Sequence, residues 1–222
     1  MLMCGRYGFS VESEEEFLKR FELAAAEFDL RDSWNVAPTH EMPIVERHSP
    51  NSLHLRKWGI KPPWSPMLLI NSKEEKLVES RFWNKPFTTS RCIVPASYFI
   101  EWKKTSEGKQ PYIIRRKDRE MFGFAGLIVT AKDDQGNEVT GYTIITQAAG
   151  DFMENIHHRQ PAILNIQFED EWLNPDEVEP ERLLKILKAF QYEKDMEMLP
   201  ISTLVNKVSN NFPEITKPVS SQ

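Results

Sequence analysis

A chain of 222 residues, 40% hydrophobic and 27% charged, is long enough for one substantial core and reads as a globular domain. The net charge of −5 excludes a global basic field for nucleic acid, so any such contact needs a local basic groove. No apolar run reaches the length of a membrane span, and MLMCGRYGFS lacks the basic-then-apolar layout of a secretory signal. With only Cys4 and Cys92 there is no disulfide framework, and the expected compartment is a reducing cytoplasm.

The spacing predicts an amphipathic helix over 13–27: Ser13 and Glu16 have capping-box spacing, and Phe17, Phe21, Ala24 and Ala25 share a face. From 34 to 72 the chain is broken by Pro38, Pro43, Pro50, Pro62, Pro63 and Pro66. Strand-like pieces lie between them at 44–47, 53–58 and 67–70, and a short helix is expected over 73–79. Further strands are expected at 91–94, 98–102, 112–115, 122–129 and 141–146. The turn sequence DDQGN at 133–137 makes a hairpin of the last two. A short helix over 148–155 leads into His157, and 161–164 has the character of a buried strand. Residues 168–191 are helical in pattern and split by Pro175 and Pro180, 201–208 is the last strand expected, and the domain runs 1–212 with a loosely ordered tail over 213–222. No repeat or low-complexity tract is present; the reading is one α+β domain with a mostly antiparallel sheet.

Several residues have the chemistry for a site. If translation starts at Met3 and that Met is removed, Cys4 carries an α-amine and a thiol on adjacent carbons. This pair suits an aldehyde, because the amine forms a Schiff base and the thiol closes a thiazolidine on it. An α-amine titrates near ~7.7–8.0 and a lysine near ~10.4, so the free-base fraction at pH 7 is on the order of a few hundred times larger for the α-amine. By position alone, a small apolar residue on a first strand explains Cys4 slightly better. Gly5 would let a substrate approach closely, and Arg6 could hold a phosphate. Glu101, in YFIEW, is either an outward-facing carboxylate or a desolvated acid–base group, the first being the better reading without context. His157 and His158 in IHHRQPAIL are either a surface loop or a general acid–base site beside Arg159.

No CxxC, HxxxH or HExxH spacing supports a metal, and no phosphate loop, GxSxG elbow or dinucleotide fingerprint is present, so neither metal nor cofactor is expected. Basic residues (Arg6, Lys61, Lys73, Arg81, Lys85, Arg91, Arg159) interleave with Tyr7, Trp58, Trp64 and Trp83. That mixture suits a single strand, although solvated charge and core tryptophan account for most of these residues singly.

Taken together, MCGRY (3–7), WNVAPTH (34–40), WGIKPPW (58–64), INSKEE (70–75), SRCIVPASYFIEW (90–102), PYIIR (111–115), FAGLIV (124–129), TIITQAA (143–149) and IHHRQPAIL (156–164) resemble the SRAP (SOS response-associated peptidase) family of abasic-site processing proteins. The resemblance implies a mostly antiparallel, barrel-like core with flanking helices. It implies an enzyme that senses abasic sites in single-stranded DNA and crosslinks to them through a thiazolidine at Cys4, shielding the lesion. It further implies Asn71, Glu101 and His157 as catalytic partners, with Glu101 also aiding removal of the residues ahead of Cys4. Arg6, Lys73, Arg81 and Arg159 would bind phosphates. Asn35, Pro38 and Trp64 would shape the DNA surface, and Thr146 would sit near the site. The partner implied is abasic single-stranded DNA, met at the nucleoid, with no obligate protein partner. Two rival functions are an N-terminal-cysteine amidohydrolase or peptidase and a non-covalent single-strand-binding module. The chain departs from the family pattern in having residues ahead of Met3, Lys73 where an Arg is usual, and His158 and Gln160 where an acid and a Met are usual.

Overall fold

The computed structural model describes residues 4–47 and 51–219; Met1 to Met3, and with them the expected start at Met3, lie outside the described residues. Five strands close a barrel: β3 (Glu41–Arg47), β4 (Asn51–Trp58), β6 (Arg91–Ala96), β9 (Phe122–Lys132) and β10 (Glu138–Ala148). In the order β10-β4-β3-β6-β9 each pairs with the next, and β10 closes the ring by pairing antiparallel with β9 on one edge and parallel with β4 on the other. Beyond those contacts the end of β10 gains two short neighbours, β5 (Asn71–Lys73) in parallel and β11 (Arg159–Pro161) antiparallel. The β9–β10 hairpin turns where DDQGN places it: Asp133 Oδ1 accepts from the Gln135 and Asn137 N–H groups, and Gly136 takes φ 84.

A second sheet, antiparallel throughout, contains β1 (Tyr7–Phe9), β2 (Ser33–Val36), β7 (Tyr98–Thr105), β8 (Gly108–Arg116) and β12 (Met196–Pro200), in the order β12-β8-β7-β1-β2. The chain passes from the barrel to this sheet at Ser97, whose N–H donates to Gly8 O at 2.8 Å. Gly8 is required there, since a Cβ on it would meet the Tyr98 ring at 2.0 Å. Between barrel and sheet lies the main core, with Tyr7, Trp58, Phe99, Phe124 and Tyr142 fully buried. Of the helices, α4 (Glu169–Leu173) packs on β6, and α5 (Pro180–Leu187) starts at Pro180 and buries Leu183, Ile186 and Leu187.

The expected α+β, mostly antiparallel architecture is the one observed, and several local expectations are corrected. The helix over 13–27 is only α1 (Glu14–Arg20), capped by Ser13. Phe21 ends it because Asn51 Nδ2 donates to its carbonyl at 3.1 Å and Leu23 bridges Asn51, a tertiary pairing that overrides helical continuation. Residues 67–70 contribute only an isolated Ile60–Leu69 bridge, and the helix expected at 73–79 is a single 3₁₀ turn, Glu74–Lys76.

The strand expected at 201–208 is instead a 3₁₀ turn, Thr203–Asn206, because its carbonyls serve another partner. Asn35 Nδ2 reaches Val205 O, Lys207 O and Asn210 O at 3.2, 3.1 and 2.8 Å. Further on, Pro213–Thr216 forms a turn, and Ile215 is buried in a second core with Tyr98, Ile100, Ile113, Ile201 and Val205. Asn35→Ala strips several carbonyls of their donor and should cost about 2–4 kcal/mol in chemical denaturation. A loss under about 0.5 kcal/mol would show that water replaces the amide at no cost.

Candidate active site

Strand alternation decides where Glu101 points. On β7, Tyr98 and Ile100 enter the second core while Phe99 enters the main core, so Glu101 shares the inward face with Phe99. It is 2% exposed. The outward reading available from sequence alone is therefore not realised. Cys4 lies directly above it, fully buried, and its backbone N–H donates to Glu101 Oε1 at 2.5 Å. Burial pushes the Glu101 carboxyl up to about 7, even though it accepts from the backbone N–H groups of Cys4 and Trp102. Burial, and then the Glu101 charge, push the Cys4 thiol well above its ordinary value, so it is a protonated thiol near neutrality. Cys4 also has φ 40, a left-handed conformation that a non-glycine residue adopts only at a cost of order 1–2 kcal/mol.

The opposite wall is the end of β10. Tyr142, Ile144 and Thr146 alternate onto one face, and the Tyr142 and Tyr7 hydroxyls meet at 2.7 Å. In register, β5 sets Asn71 beside Ile144 and Lys73 beside Thr146, while β11 sets Pro161 beside Thr146 and Arg159 beside Ala148. Ile70, just ahead of Asn71, approaches Gly5: a Cβ built there would lie 3.9 Å from Ile70 Cδ1. The register thus gathers Asn71, Lys73, Thr146 and Arg159 at the end of one strand.

Thr146 joins the two short strands. Its hydroxyl donates to Ser72 O at 3.4 Å and accepts from Arg159 Nη2 at 3.2 Å, and Nη2 also donates to Thr146 O at 2.6 Å. His157 is 6% exposed and packs against His158, the rings tilted by 31° with centroids 4.4 Å apart. The Arg159 backbone N–H can only donate, and it reaches His157 Nδ1 at 3.2 Å. The Arg159 carbonyl lies farther from Nδ1, at 3.4 Å; with Nδ1 accepting the shorter bond, a neutral ring carries its proton on Nε2. Burial and then the neighbouring His158 lower the His157 pKa, which keeps the ring neutral near pH 7.

The other expected site residues fall into three settings. Arg6 is partly buried: Nη1 donates to Asn35 Oδ1 at 2.9 Å and Val205 O at 3.2 Å, and Nε to Gly5 O at 3.3 Å. Its Nη2 has no acceptor among the described residues. Asn35 is fully buried and clasps the 205–210 segment. Trp64 is 62% exposed and packs edge-on against Phe82, whose neighbour Arg81 is exposed and in no ion pair among the described residues. Pro38 is partly buried beside Thr39. Lys73 is exposed and likewise unpaired among the described residues. Tyr142 and Glu75 are the participants that the sequence reading left out. Their roles depend on pairings with Tyr7 and Arg159 that no local periodicity encodes. Among the described residues no group of three His, Cys, Asp or Glu side chains is placed to hold a metal, and no helix is long and apolar enough to cross a membrane.

A match to SOS response associated peptidase (SRAP) spans residues 3–208. The chain belongs to the SRAP family. It is similar to the abasic site processing protein YoqW of Bacillus subtilis (strain 168), 37% identical over 96% of this chain and 98% of that one. Similarity to the abasic site processing protein YedK of Escherichia coli (strain K12) is 29% identity over 98% of this chain and 100% of that one. A crystal structure of a protein from Bacteroides thetaiotaomicron superposes with a TM-score of 0.83 at 25% identity, covering 98% of this chain and 100% of that one.

Proposed function

We propose that this protein processes abasic sites in single-stranded DNA by a covalent crosslink through Cys4, once the residues ahead of Cys4 are removed. The observation that carries this reading is the 2.5 Å contact between the Cys4 nitrogen and the buried Glu101 carboxyl. That nitrogen becomes the α-amine when the peptide bond ahead of it is cleaved. That cleavage is a hydrolysis: water adds to the preceding carbonyl carbon, the C–N bond breaks, and a carboxyl near pKa 7 can protonate the departing amine; cleavage also relieves the left-handed φ of Cys4.

Chemistry on the sugar follows the same contact. The amine leads, because the buried thiol is protonated. Glu101 takes the ammonium proton and the free amine adds to the C1 aldehyde, giving a carbinolamine. Glu101 returns the proton to the carbinolamine hydroxyl, which leaves as water, and then takes the iminium N–H proton to give the imine. The thiol then adds across C=N: a C–S bond forms, the sulfhydryl proton ends on nitrogen, and the ring is a thiazolidine. One water is released overall. The abasic sugar is mostly a closed hemiacetal, and His157 presents its Nε2–H to the sugar oxygen as the ring opens. Asn71 hydrogen-bonds near the reacting carbon.

The strand itself is held by Arg6, Lys73, Arg81 and Arg159 through phosphates and by Trp64 through base stacking. Arg81→Ala should weaken binding of intact single strands regardless of sequence and flatten the log–log salt slope by about 0.7. Trp64→Ala should cost about 1–3 kcal/mol without altering that slope. Both are read by fluorescence anisotropy at several salt concentrations.

The function is tested by mixing the protein with an abasic oligonucleotide and measuring intact mass after denaturation. The expected species is the chain from Cys4 plus the oligonucleotide minus one water. Turnover of a small amide with no adduct would favour an amidohydrolase instead.

A further inference from the structure

Arg159 already holds an anion. Its Nη1 donates to Glu75 Oε1 at 2.5 Å, and this pair sits at the rim of the site: the Arg159 side chain is 10% exposed and that of Glu75 is 50% exposed. We propose that the Glu75 carboxylate occupies the seat on Arg159 that a single-strand phosphate takes, so that strand binding requires Glu75 to swing out and Glu75 sets the strength of binding. This rests on reading Arg159 as a backbone-phosphate contact.

Three features support an exchange of anions at this seat. The guanidinium is fixed independently of Glu75, since Nη2 is held by Thr146 O and Oγ1. The carboxylate is mounted to move alone: its 3₁₀ turn is pinned by a separate ion pair, Glu74 with Lys188 Nζ at 2.8 Å, so Glu75 can leave by side-chain rotation. The seat is also only partly filled, because the Arg159 Nε–H is buried with no acceptor among the described residues. A phosphate offers more oxygens than one carboxylate oxygen can, and Lys73, exposed and beside Thr146 in register, adds a second cation to the same rim. With Glu75 seated, the Arg159–Glu75 pair is neutral and its carboxylate repels an incoming phosphate. With Glu75 out, the rim is cationic.

The alternative is that Glu75 merely orients Arg159 for DNA, and the two differ in sign. Anisotropy with an undamaged, end-labelled single-stranded oligonucleotide should show Glu75→Gln binding roughly three- to ten-fold tighter than the unsubstituted protein. Equal or weaker binding overturns the proposal. If Glu75→Gln melts below the assay temperature, Glu75→Asp, whose shorter carboxylate withdraws from Nη1, should still bind tighter, and weaker binding by it is equally fatal. Inorganic phosphate separates this claim from the DNA reading. The Arg159 side-chain ¹⁵N signal should respond at lower phosphate concentration in Glu75→Gln than in the unsubstituted protein. That response without any binding of single strands would sink the DNA reading and retain the exchange, whereas no phosphate response in either protein sinks the exchange.

Discussion

Cys4→Ala is expected to abolish the denaturation-resistant adduct with abasic single-stranded DNA. The physical reason is the division of labour between two atoms of one residue. An alanine at the same position, once freed of the residues ahead of it, still presents an α-amine to Glu101 and still forms an imine. An imine hydrolyses, and without sulfur nothing closes it into a ring. Cys4→Ala and Cys4→Ser should therefore lose the stable adduct by at least about a hundred-fold while remaining trappable by borohydride, which reduces C=N to a permanent amine. The measurement is a denaturing gel with and without the reductant. A stable adduct from Cys4→Ala without reductant would overturn the thiazolidine assignment. Loss of trapping in both variants would move the amine role to another residue. Cys92 is no substitute: it is fully buried in β6, and burial raises its thiol well above the ordinary value.

Glu101→Gln is expected to separate catalysis from stability. Glutamine keeps the shape and can still accept the Cys4 N–H, but it cannot move a proton. Crosslink formation should slow by about 10²–10⁴, the usual contribution of a positioned acid–base group. The rate–pH profile should also lose its inflection near 7, where the Glu101 carboxyl titrates. Stability should move the other way. The folded-state pKa of Glu101 lies above its unfolded value, so between roughly pH 4.5 and 7 the native state binds more protons and stability falls as pH rises. Glu101→Gln removes that penalty and should be more stable than the unsubstituted protein at pH 8, by on the order of 1–3 kcal/mol, with the advantage vanishing near pH 4.5. Denaturant melts at the two pH values check this. A variant less stable at pH 8 would mean that the carboxylate is better solvated or paired than its burial implies.

Some of this architecture was legible along the chain. The β9–β10 hairpin follows from two apolar runs around DDQGN, because an Asp that can accept from downstream N–H groups and a Gly at positive φ satisfy that turn locally. Helix α5 follows from Pro180 at its start and Leu183, Ile186 and Leu187 on one face. Where local pattern was ambiguous, tertiary partners decided. Ile201 and Val205 are both buried, as a strand or a turn could provide, and the Asn35 amide selects the turn by taking the carbonyls that a strand would pair. Helix α1 ends at Arg20 because Asn51 binds the Phe21 carbonyl, a partner far along the chain.

The amino-acid sequence alone determined the chemical types proposed for the site, Cys4, Asn71, Glu101 and His157, and the motif set that marks them, because side-chain chemistry is local to each residue. It also determined the turn of the β9–β10 hairpin and where β6, β7 and β9 begin, because strand alternation and turn chemistry act over a few residues. Only the tertiary structure decided that Glu101 faces inward, since β7 divides its alternate residues between two cores. Only it placed the Cys4 nitrogen on that carboxyl and seated Glu75 on Arg159. Such contacts join residues far apart in the chain, and the proton affinity of Glu101 is set by the burial they create.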